Sequence, residues 1–155
     1  MSKLVYIKGD ATNPIGEGNK IIIHVCNDIG GWGRGFVLAL SNRWSKPEEG
    51  YLNWFKSNEN FELGEVQFVQ VEDDLWVANM IAQHDIVPIN SVPPIRYEAV
   101  AECLKKVALK AKELNASIHA PRFGSGLAGG DWDKIEKLIK SELISVGISV
   151  TVYDF

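Results

Sequence analysis

Hydrophobic and polar residues along the chain fall into blocks whose spacing switches between that of a strand and that of a helix. Short runs rich in β-branched and aromatic residues predict strands at residues 4–8, 20–26, 65–71, 75–81, 117–121 and 148–153. Runs whose apolar residues recur with helical spacing predict helices at residues 34–44, 48–56, 95–114 and 131–146. Because strands and helices alternate over much of the chain, the pattern predicts an α/β fold with a mixed sheet.

Two segments of this pattern indicate where they lie in the fold. The strand at residues 20–26 is apolar almost throughout, which is typical of a central strand buried on both faces. Residues 83–94 have no periodicity and hold three of the six prolines, so they predict a loop, the kind of segment that often carries site residues. The chain has no repeats and no linker, and its 155 residues predict one domain over residues 1–155.

Composition narrows the functional classes. A content of 46% hydrophobic residues allows a sizeable core, and the net charge of −4 argues against a protein that coats nucleic acid, which needs clustered Lys and Arg. Cys26 and Cys103 form no CxxC pair, and His24 and His119 lie inside apolar strands as expected of core residues, so we expect no disulfide framework, metal or cofactor. With no room for a signal peptide and no apolar run of membrane-spanning length, the expectation is a cytoplasmic monomer without membrane contact.

Two glycine-rich stretches each lie between a predicted strand and a predicted helix. Residues 30–35 read Gly-Gly-Trp-Gly-Arg-Gly, and Gly124, Gly126 and Gly129 match the GxGxxG pattern. Unpaired backbone N–H groups at such a junction, with the helix dipole behind them, form a site for phosphate. Structural turns without a ligand are the alternative interpretation.

The GxGxxG match does not predict a Rossmann dehydrogenase, because only one helix and one strand remain after it. Two loops at the same sheet edge can instead hold the two phosphates of a diphosphate from opposite sides. Trp32 is expected to be an exposed indole that covers the ligand. The predicted phosphate-binding residues are Gly31, Trp32, Gly33, Arg34, Gly35, Gly124, Ser125, Gly126, Leu127, Ala128 and Gly129.

Four polar residues follow the ends of predicted strands. Asp10 comes after the first strand, where its carboxylate can either accept a hydrogen bond from an exocyclic amine or form a turn with its own backbone. Asn27 and Asp28 follow the second strand and precede the first glycine loop. His84 is placed like a general acid or base, and an exposed loop histidine is the alternative.

These stretches resemble motifs of the macrodomain family, small α/β modules that bind ADP-ribose. Residues 9–12 are similar to the family's first-strand Gly-Asp motif. Residues 24–35 are similar to the His-x-Cys-Asn-x-x-Gly-x-Trp-Gly-x-Gly stretch of its ADP-ribose 1″-phosphate phosphatases. Residues 121–127 with 131–132 resemble the second phosphate loop, and residues 152–155 the last strand, of the branch that includes the terminal ADP-ribose protein glycohydrolases. The resemblance covers essentially the whole chain.

The resemblance implies a three-layer α/β/α sandwich with a central six-stranded mixed sheet. It implies that Asp10, with Ala11 beside it, binds the adenine amine, that the glycine loops bind the diphosphate, and that Asn27 meets the distal ribose. Phe155 contributes either a ring contact to the ligand or packing at the end of the last strand. The implied ligand is ADP-ribose or ADP-ribose 1″-phosphate, either free or as an ADP-ribosyl group on a macromolecule.

The chain departs from the glycohydrolases of this branch at two places. Those enzymes use a lysine in the loop after the strand at residues 75–81, where this chain has Gln83 and His84. Ala128 stands where a protein glycohydrolase of the branch has an aspartate. A covalent route through lysine is therefore not expected.

Hydrolysis is instead expected to proceed by attack at the distal ribose of a water that Asn27 orients, with His84 or Asp28 assisting proton transfer. The leading hypothesis is a hydrolase of an ADP-ribose derivative, with ADP-ribose 1″-phosphate as the first substrate to test and an ADP-ribosyl linkage as another. The alternatives are a binding module without turnover and a nucleotide-metabolising enzyme that takes a different diphosphate.

Overall fold

The computed structural model describes residues 2–126 and 128–155, and within these ranges the chain forms six strands and four α-helices. The strands are β1 (Leu4–Lys8), β2 (Lys20–Asn27), β3 (Val66–Glu72), β4 (Leu75–Gln83), β5 (Ser117–Ala120) and β6 (Val150–Asp154). The helices are α1 (Phe36–Arg43), α2 (Lys46–Ser57), α3 (Tyr97–Leu114) and α4 (Trp132–Glu142). A single 3₁₀ turn, Ile144–Val146, follows α4.

The strands form one mixed sheet in the order β1-β6-β5-β2-β4-β3. The first five strands of this order are parallel to their neighbours, and β3 pairs with β4 in the antiparallel direction. The predicted six-stranded mixed sheet and the β3–β4 hairpin are therefore confirmed. The parallel direction also brings the carboxyl ends of β1, β6, β5, β2 and β4 to one edge of the sheet.

Helices cover both faces of the sheet, as the three-layer prediction requires. On one face, Ile22 of β2 packs in a cluster with Leu40 of α1 and Tyr51 of α2. On the other face, Ile21 and Ile23 of the same strand belong to the larger cluster that includes residues of α3 and α4. All three isoleucines have no exposed surface, so β2 is the central strand buried on both faces that its sequence predicts.

Several helix ends differ from their predicted positions: α1 begins at Phe36 instead of residue 34, and α2 begins at Lys46 instead of residue 48. The helix predicted over residues 131–146 stops at Glu142, and the chain then tightens into a 3₁₀ turn that ends at Gly147 with a φ of 93°. The helix predicted from residue 95 begins at Tyr97 because Ile95 instead forms a β-bridge with Gln83. In the part of the chain that the structure describes, no helix is both long and apolar enough to cross a membrane.

Candidate ligand-binding site

Each predicted site segment follows one of the five parallel strands and so lies at their shared carboxyl edge. Asp10 follows β1, Phe155 follows β6, the loop of residues 121–130 follows β5, the loop of residues 28–35 follows β2, and His84 follows β4. The strand order arranges these segments in a row, with Asp10 at one end and His84 at the other. Ligands of open α/β sheets commonly bind at this edge.

A cavity of about 570 Å³ opens at the β1 end of the row. Its walls come from the turn after β1, from one face of α1, and from the ends of β5 and β6. This volume is within the range typical of small-molecule sites. The lining residues are Gly9, Asp10, Ala11, Thr12, Phe36, Ala39, Asn42, Arg43, Pro121, Tyr153 and Phe155.

Asp10 forms the turn that is one of its two expected roles, and the other, a hydrogen bond to an exocyclic amine, stays a prediction. Its Oδ1 accepts hydrogen bonds from the backbone N and the Oγ1 of Thr12, at 2.9 and 2.8 Å, which forms the turn. Its Oδ2 lies 3.5 Å from an Nη atom of Arg43. Burial opposes ionisation, but the Thr12 hydrogen bonds and the Arg43 charge outweigh it, so the pKa of Asp10 lies below its usual value. Asp10 is therefore a carboxylate at neutral pH, and it lines the cavity.

Two polar residues of the first cavity, Asn42 and Arg43, are not among those predicted from the sequence. Arg43 donates from Nε to Thr12 Oγ1 at 2.7 Å and so fixes the turn that holds Asp10. Phe36, Ala39 and Arg43 share one face of α1, since residues three and four apart on a helix are neighbours. The signal available in the sequence was a polar residue at the end of this otherwise apolar face.

A second cavity, of about 280 Å³, lies between the two glycine loops. It shares Phe36 and Pro121 with the first cavity, so the two adjoin, and together they are called the cleft below. The second cavity is lined by His24, Val25, Arg34, Gly35, Phe36, Val37, Gln83, Pro121, Arg122, Phe123, Gly124, Gly126 and Ala128.

Asn27 holds the first glycine loop in place. A register shift between Cys26 and Asn27 ends β2, and the Asn27 side chain then bonds to the loop that follows. Its Oδ1 accepts from the backbone N–H groups of Ile29 and Gly31 at 3.1 and 2.9 Å and from the Tyr51 hydroxyl at 2.8 Å. Its Nδ2 donates to the Gly31 carbonyl at 2.8 Å. Asn27 does not line either cavity, so the geometry gives it a positioning role, and its catalytic role stays a prediction.

Trp32 is not the exposed indole that the sequence predicts. It is 8% exposed, and its ring packs against His24 and Tyr51, with centroid separations of 5.6 and 5.3 Å. Its Nε1 donates to Ser41 Oγ at 2.8 Å. The loop folds back over α1 and α2, so the indole joins the core instead of covering the cavity, and the predicted exposure is wrong.

The second glycine loop has glycines of two kinds. Gly124 and Gly129 adopt left-handed backbone, with φ values of 77° and 72°, where other residues are strained. Gly126 differs, since a Cβ added there meets nothing within 4 Å, and the residue is exposed in the wall of the second cavity. Leu127, also predicted to bind the ligand, lies outside the described residues. The Gly126 backbone is therefore the open part of this loop.

The predicted acid–base residues lie beside the cleft but do not line it. His84 Nδ1 is 2.8 Å from Asp28 Oδ2, and the Asp85 N–H donates to Asp28 Oδ1 at 2.8 Å. Gln83, one residue earlier, lines the second cavity. The structure brings Asp28 and His84 together next to the β4 end of the cleft, and their role in proton transfer stays a prediction.

The other two histidines are buried, as their positions in apolar strands predict. His24 Nε2 lies 2.6 Å from Asn79 Oδ1, and His24 Nδ1 has no hydrogen-bond partner among the described residues. His119 Nδ1 lies 2.7 Å from the Tyr153 hydroxyl. Burial lowers the pKa of both histidines to about 4, and the Lys20 charge adds to this effect at His119. Both are neutral at pH 7.

Of the residues predicted to bind the ligand, eight line the cleft and five others do not. Those that line it are Asp10, Ala11, Arg34, Gly35, Gly124, Gly126, Ala128 and Phe155. Those that do not are Gly31, Trp32, Gly33, Ser125 and Gly129. Over residues 2–126 and 128–155, no three His, Cys, Asp or Glu side chains come close enough together to hold a metal ion.

Solved structures similar to this chain match it over nearly its whole length. A protein of unknown function from Bacteroides thetaiotaomicron is 60% identical, with a TM-score of 0.98 and 99% of each chain covered. A macrodomain protein from Streptomyces coelicolor is 52% identical, with a TM-score of 0.89 and 99% of each chain covered. No family model matches the chain.

Curated relatives fall into two groups by how much of the relative's length this chain spans. The mouse chromodomain-helicase-DNA-binding protein 1-like is 36% identical over 160 residues, which is 97% of this chain but only 17% of that protein. The chain thus spans a small part of this relative. The ADP-ribose 1″-phosphate phosphatase of Lodderomyces elongisporus is 25% identical over 158 residues, which is 97% of this chain and 98% of that protein.

Proposed function

Since the chain belongs to the macrodomain family, we propose that it binds ADP-ribose in the cleft. The observation that carries the proposal is the junction of the two cavities at Phe36 and Pro121. One cavity has the size and polar groups for an adenosine, and the other lies between two loops rich in backbone amides. A ligand with a nucleoside at one end, a diphosphate in the middle and a sugar at the other end matches this sequence of environments.

The adenosine occupies the larger cavity in this proposal. The Asp10 carboxylate accepts a hydrogen bond from the exocyclic amine of adenine, and Arg43 with Thr12 keeps that carboxylate charged and oriented. Phe155 lines the same cavity with 97% of its surface exposed, so its ring is free to pack on the base. An exposed aromatic ring of this kind gains buried area when a flat ligand covers it.

The diphosphate lies between the two glycine loops. No side chain in the described residues caps the N-terminus of α1 at Gly35, and the first N–H groups of a helix have no partner within it. Phe36 and Val37, which start α1, both line the second cavity. These amides, the helix dipole, and the open Gly126 backbone on the opposite side form the anion site.

The distal ribose then lies toward the β4 end of the cleft, near Gln83 and Ala128. The row of strands supports this direction, because β1 with Asp10 is at one edge of the sheet and β4 is four strands away. The group attached to this ribose leaves the cleft beside Asp28 and His84.

Calorimetry with ADP-ribose and with AMP tests the proposal. We expect ADP-ribose to bind more tightly than AMP, since only ADP-ribose places a diphosphate between both loops and a ribose beyond them. Equal affinities for the two ligands at matched conditions would contradict the use of both cavities, and no heat of binding with ADP-ribose would reject the proposal.

Hydrolysis of ADP-ribose 1″-phosphate is a second candidate function. The fungal phosphatase that matches nearly the whole chain favours it, as does the Asp28–His84 pair beside the proposed position of the distal ribose. In this scheme a water attacks the C1″ atom of the distal ribose, and His84 takes the proton of the water. The bond from C1″ to the phosphate oxygen breaks, which leaves ADP-ribose and inorganic phosphate.

Release of inorganic phosphate from ADP-ribose 1″-phosphate measures this activity directly. Residues 84–95 contain no lysine, so borohydride is expected to trap no covalent ADP-ribose adduct through this loop. Phosphate release no faster than in a buffer blank would leave ligand binding as the function.

A further inference from the structure

Arg122 forms an ion pair that the proposed function does not use. It is the second residue after β5 and lies at the start of the second glycine loop, in the wall of the second cavity. Its Nε donates to Asp154 Oδ1 at 2.6 Å, and its Nη2 donates to Asp154 Oδ2 at 3.2 Å. Because a planar guanidinium and a carboxylate meet through two hydrogen bonds, each side chain fixes the orientation of the other.

Two aromatic rings hold the same guanidinium. Its Cζ lies 4.8 Å from the centre of the Tyr6 ring and 5.5 Å from the centre of the Trp132 ring. Trp132 Nε1 donates to the Tyr6 hydroxyl at 2.9 Å, and the Tyr6 hydroxyl donates to Glu136, so both rings are fixed in turn. A cation over the face of an aromatic ring is attracted to it. The Arg122 side chain is therefore held both by a carboxylate and by two rings.

The ion pair extends the pairing of β5 with β6 beyond their backbone ladder. Ala120 and Val152 are the last registered pair of these two strands, and Arg122 and Asp154 each come two residues later. A step of two residues along a strand returns to the same face of the sheet. The two side chains thus join the second glycine loop to β6 after the ladder between the strands has ended.

The ion pair also links the walls of the two cavities. Asp154 is the last residue of β6, and its carbonyl accepts a hydrogen bond from the Gly9 N–H at 2.8 Å. Phe155 follows it, and both Gly9 and Phe155 line the first cavity. Arg122 lies in the wall of the second cavity. The pair therefore connects the segment that forms the first cavity to the loop that forms the second.

The exposure of the pair indicates that it acts on the placement of the loop more than on the stability of the fold. The side chains of Arg122 and Asp154 are 42% and 46% exposed, and ion pairs this exposed stabilise a fold little. The Phe123 N–H bonds to the Pro121 carbonyl, and the Ser125 hydroxyl bonds to the Arg122 carbonyl, so these hydrogen bonds stay within the loop. The ion pair instead reaches out of the loop to β6.

We propose that the Arg122–Asp154 pair, called the latch below, holds the second glycine loop in the position that a ligand spanning both cavities requires. Arg122 is then a positioning residue for the diphosphate, and it acts through the backbone of the loop. This inference rests on the proposed binding of ADP-ribose in the cleft. A loop that is already held costs less to order on binding, so the latch favours ADP-ribose, which occupies both cavities, over AMP.

Calorimetry on single and double variants of the latch tests this role. Arg122→Ala and Asp154→Asn are each expected to weaken ADP-ribose binding by about fivefold and to leave AMP affinity within about twofold of the wild type. The double variant is expected to lose no more than either single variant, because all three remove the same contact. Asp154→Asn is the decisive variant, since a direct contact between the Arg122 charge and phosphate would survive it.

Lys110→Ala is the matched control. Lys110 lies on α3, where its Nζ is 2.8 Å from Glu113 and 5.9 Å from the centre of the Phe68 ring. The control thus removes an ion pair and a contact between a cation and a ring at a place away from the cleft. We expect it to bind ADP-ribose like the wild type, and thermal melts check that all variants are folded.

Amide hydrogen exchange measures the latch without ligand. The N–H groups of Phe123 and Gly130 bond within the second glycine loop, to the carbonyls of Pro121 and Gly124, both at 2.8 Å. We expect both amides to exchange faster in Asp154→Asn than in the wild type or in Lys110→Ala, because the loop opens more often when the latch is broken.

Three results overturn the inference. If Arg122→Ala loses ADP-ribose affinity while Asp154→Asn keeps or gains it, Arg122 is a direct phosphate contact and not a positioning residue. Equal losses for ADP-ribose and AMP, or unchanged exchange of the loop amides in Asp154→Asn, remove the latch but leave the proposed function intact. Failure of the wild type to bind ADP-ribose overturns both, so the two failures are distinguishable.

Discussion

The two ends of the cleft use their polar residues in different ways. At the β1 end, Asp10 and Arg43 line the cavity with charged groups that a ligand can reach. At the β4 end, two polar side chains are engaged with the protein, since Asn27 holds the glycine loop and Asp28 holds His84. The ligand surface there combines glycine backbone, apolar side chains and Gln83 with the charged side chains of Arg34 and Arg122. The β1 end thus offers a fixed carboxylate, and the second cavity offers glycine backbone together with two arginines.

Gly126→Val should have the largest effect on ADP-ribose binding, and it changes the second cavity, toward the β4 end of the cleft. The added side chain meets no protein atom within 4 Å of its Cβ, so the fold should persist, but it fills the second cavity. We expect ADP-ribose binding to fall by more than about 3 kcal/mol while AMP binding changes less. Gly126→Ala should show a smaller loss in the same calorimetric assay. Normal ADP-ribose binding by the folded valine variant would show that this loop is not part of the site.

The free energy of unfolding should depend on pH because one buried histidine lies near each of the two cavities of the cleft. His24 lines the second cavity, and His119 bonds to Tyr153 in the wall of the first. Because burial lowers both pKa values to about 4, the unfolded chain binds more protons between pH 6.5 and 4. Stability is thus fully present above pH 6.5 and falls as the pH drops toward 4, by about 3 kcal/mol for each histidine.

Denaturant unfolding at pH 4 and pH 7 measures this dependence. His24→Phe and His119→Phe should each remove about half of it, and comparison of the two variants assigns the pH sensitivity to one end of the cleft. A free energy of unfolding that stays constant between pH 7 and pH 4 would contradict the assignment.

Asp10→Ala tests the β1 end. Loss of a charged hydrogen bond to adenine should weaken ADP-ribose binding by about 1.5–3 kcal/mol. AMP should lose a similar amount, in contrast to its behaviour with Gly126→Val, because both ligands carry the adenine. Asp10→Asn, which keeps the shape but not the charge, should fall between Asp10→Ala and the wild type. Unchanged affinity of Asp10→Ala for both ligands would remove Asp10 from the site.

Asn27→Ala separates a positioning role from a direct contact. The variant leaves the N–H and the carbonyl of Gly31 without their side-chain partner, while the Tyr51 hydroxyl keeps the backbone carbonyl of residue 27, so the free energy of unfolding should fall by about 2 kcal/mol. ADP-ribose affinity should fall together with it, since the loop amides lose their support. Thermal melts with and without ligand measure both quantities. A variant as stable as the wild type that has lost only turnover would restore Asn27 as a catalytic residue.

His84→Ala should have the smallest effect on binding, because His84 lies outside the lining of both cavities. We expect ADP-ribose affinity to stay within about twofold of the wild type, a difference below 0.5 kcal/mol. If the wild type releases phosphate from ADP-ribose 1″-phosphate, the rate should fall by about 10²–10⁴-fold in this variant. A large loss of ADP-ribose affinity would place His84 in the binding surface instead.

The sequence predicts the sheet and the position of the loops because both depend on local patterns. The apolar run of β2 and the glycines after it specify a buried strand that ends in a loop. Parallel order then brings Asp10 and the glycine loops to one edge. The strands and the loops that follow them can therefore be predicted from short-range periodicity and from turn chemistry.

Residues whose roles depend on tertiary contacts could not be assigned in this way. Trp32 is flanked by glycines, yet its loop folds back onto Tyr51 and buries it. The Arg43 side chain joins the site only because α1 packs beside the turn after β1. Asn27 precedes a loop that occupies its Oδ1 and one of the two N–H groups of its Nδ2, and only the folded loop reveals which atoms are left for a ligand.

A crystal structure of the protein with ADP-ribose tests the central claim most directly, because it locates both ends of the ligand at once. We expect the adenine amine to lie within hydrogen-bonding distance of Asp10 Oδ2. The diphosphate should lie between the loop before α1 and Gly126, and the distal ribose should lie near Gln83. Density for ADP-ribose outside the cleft, or with the adenine at the Gln83 end, would contradict it.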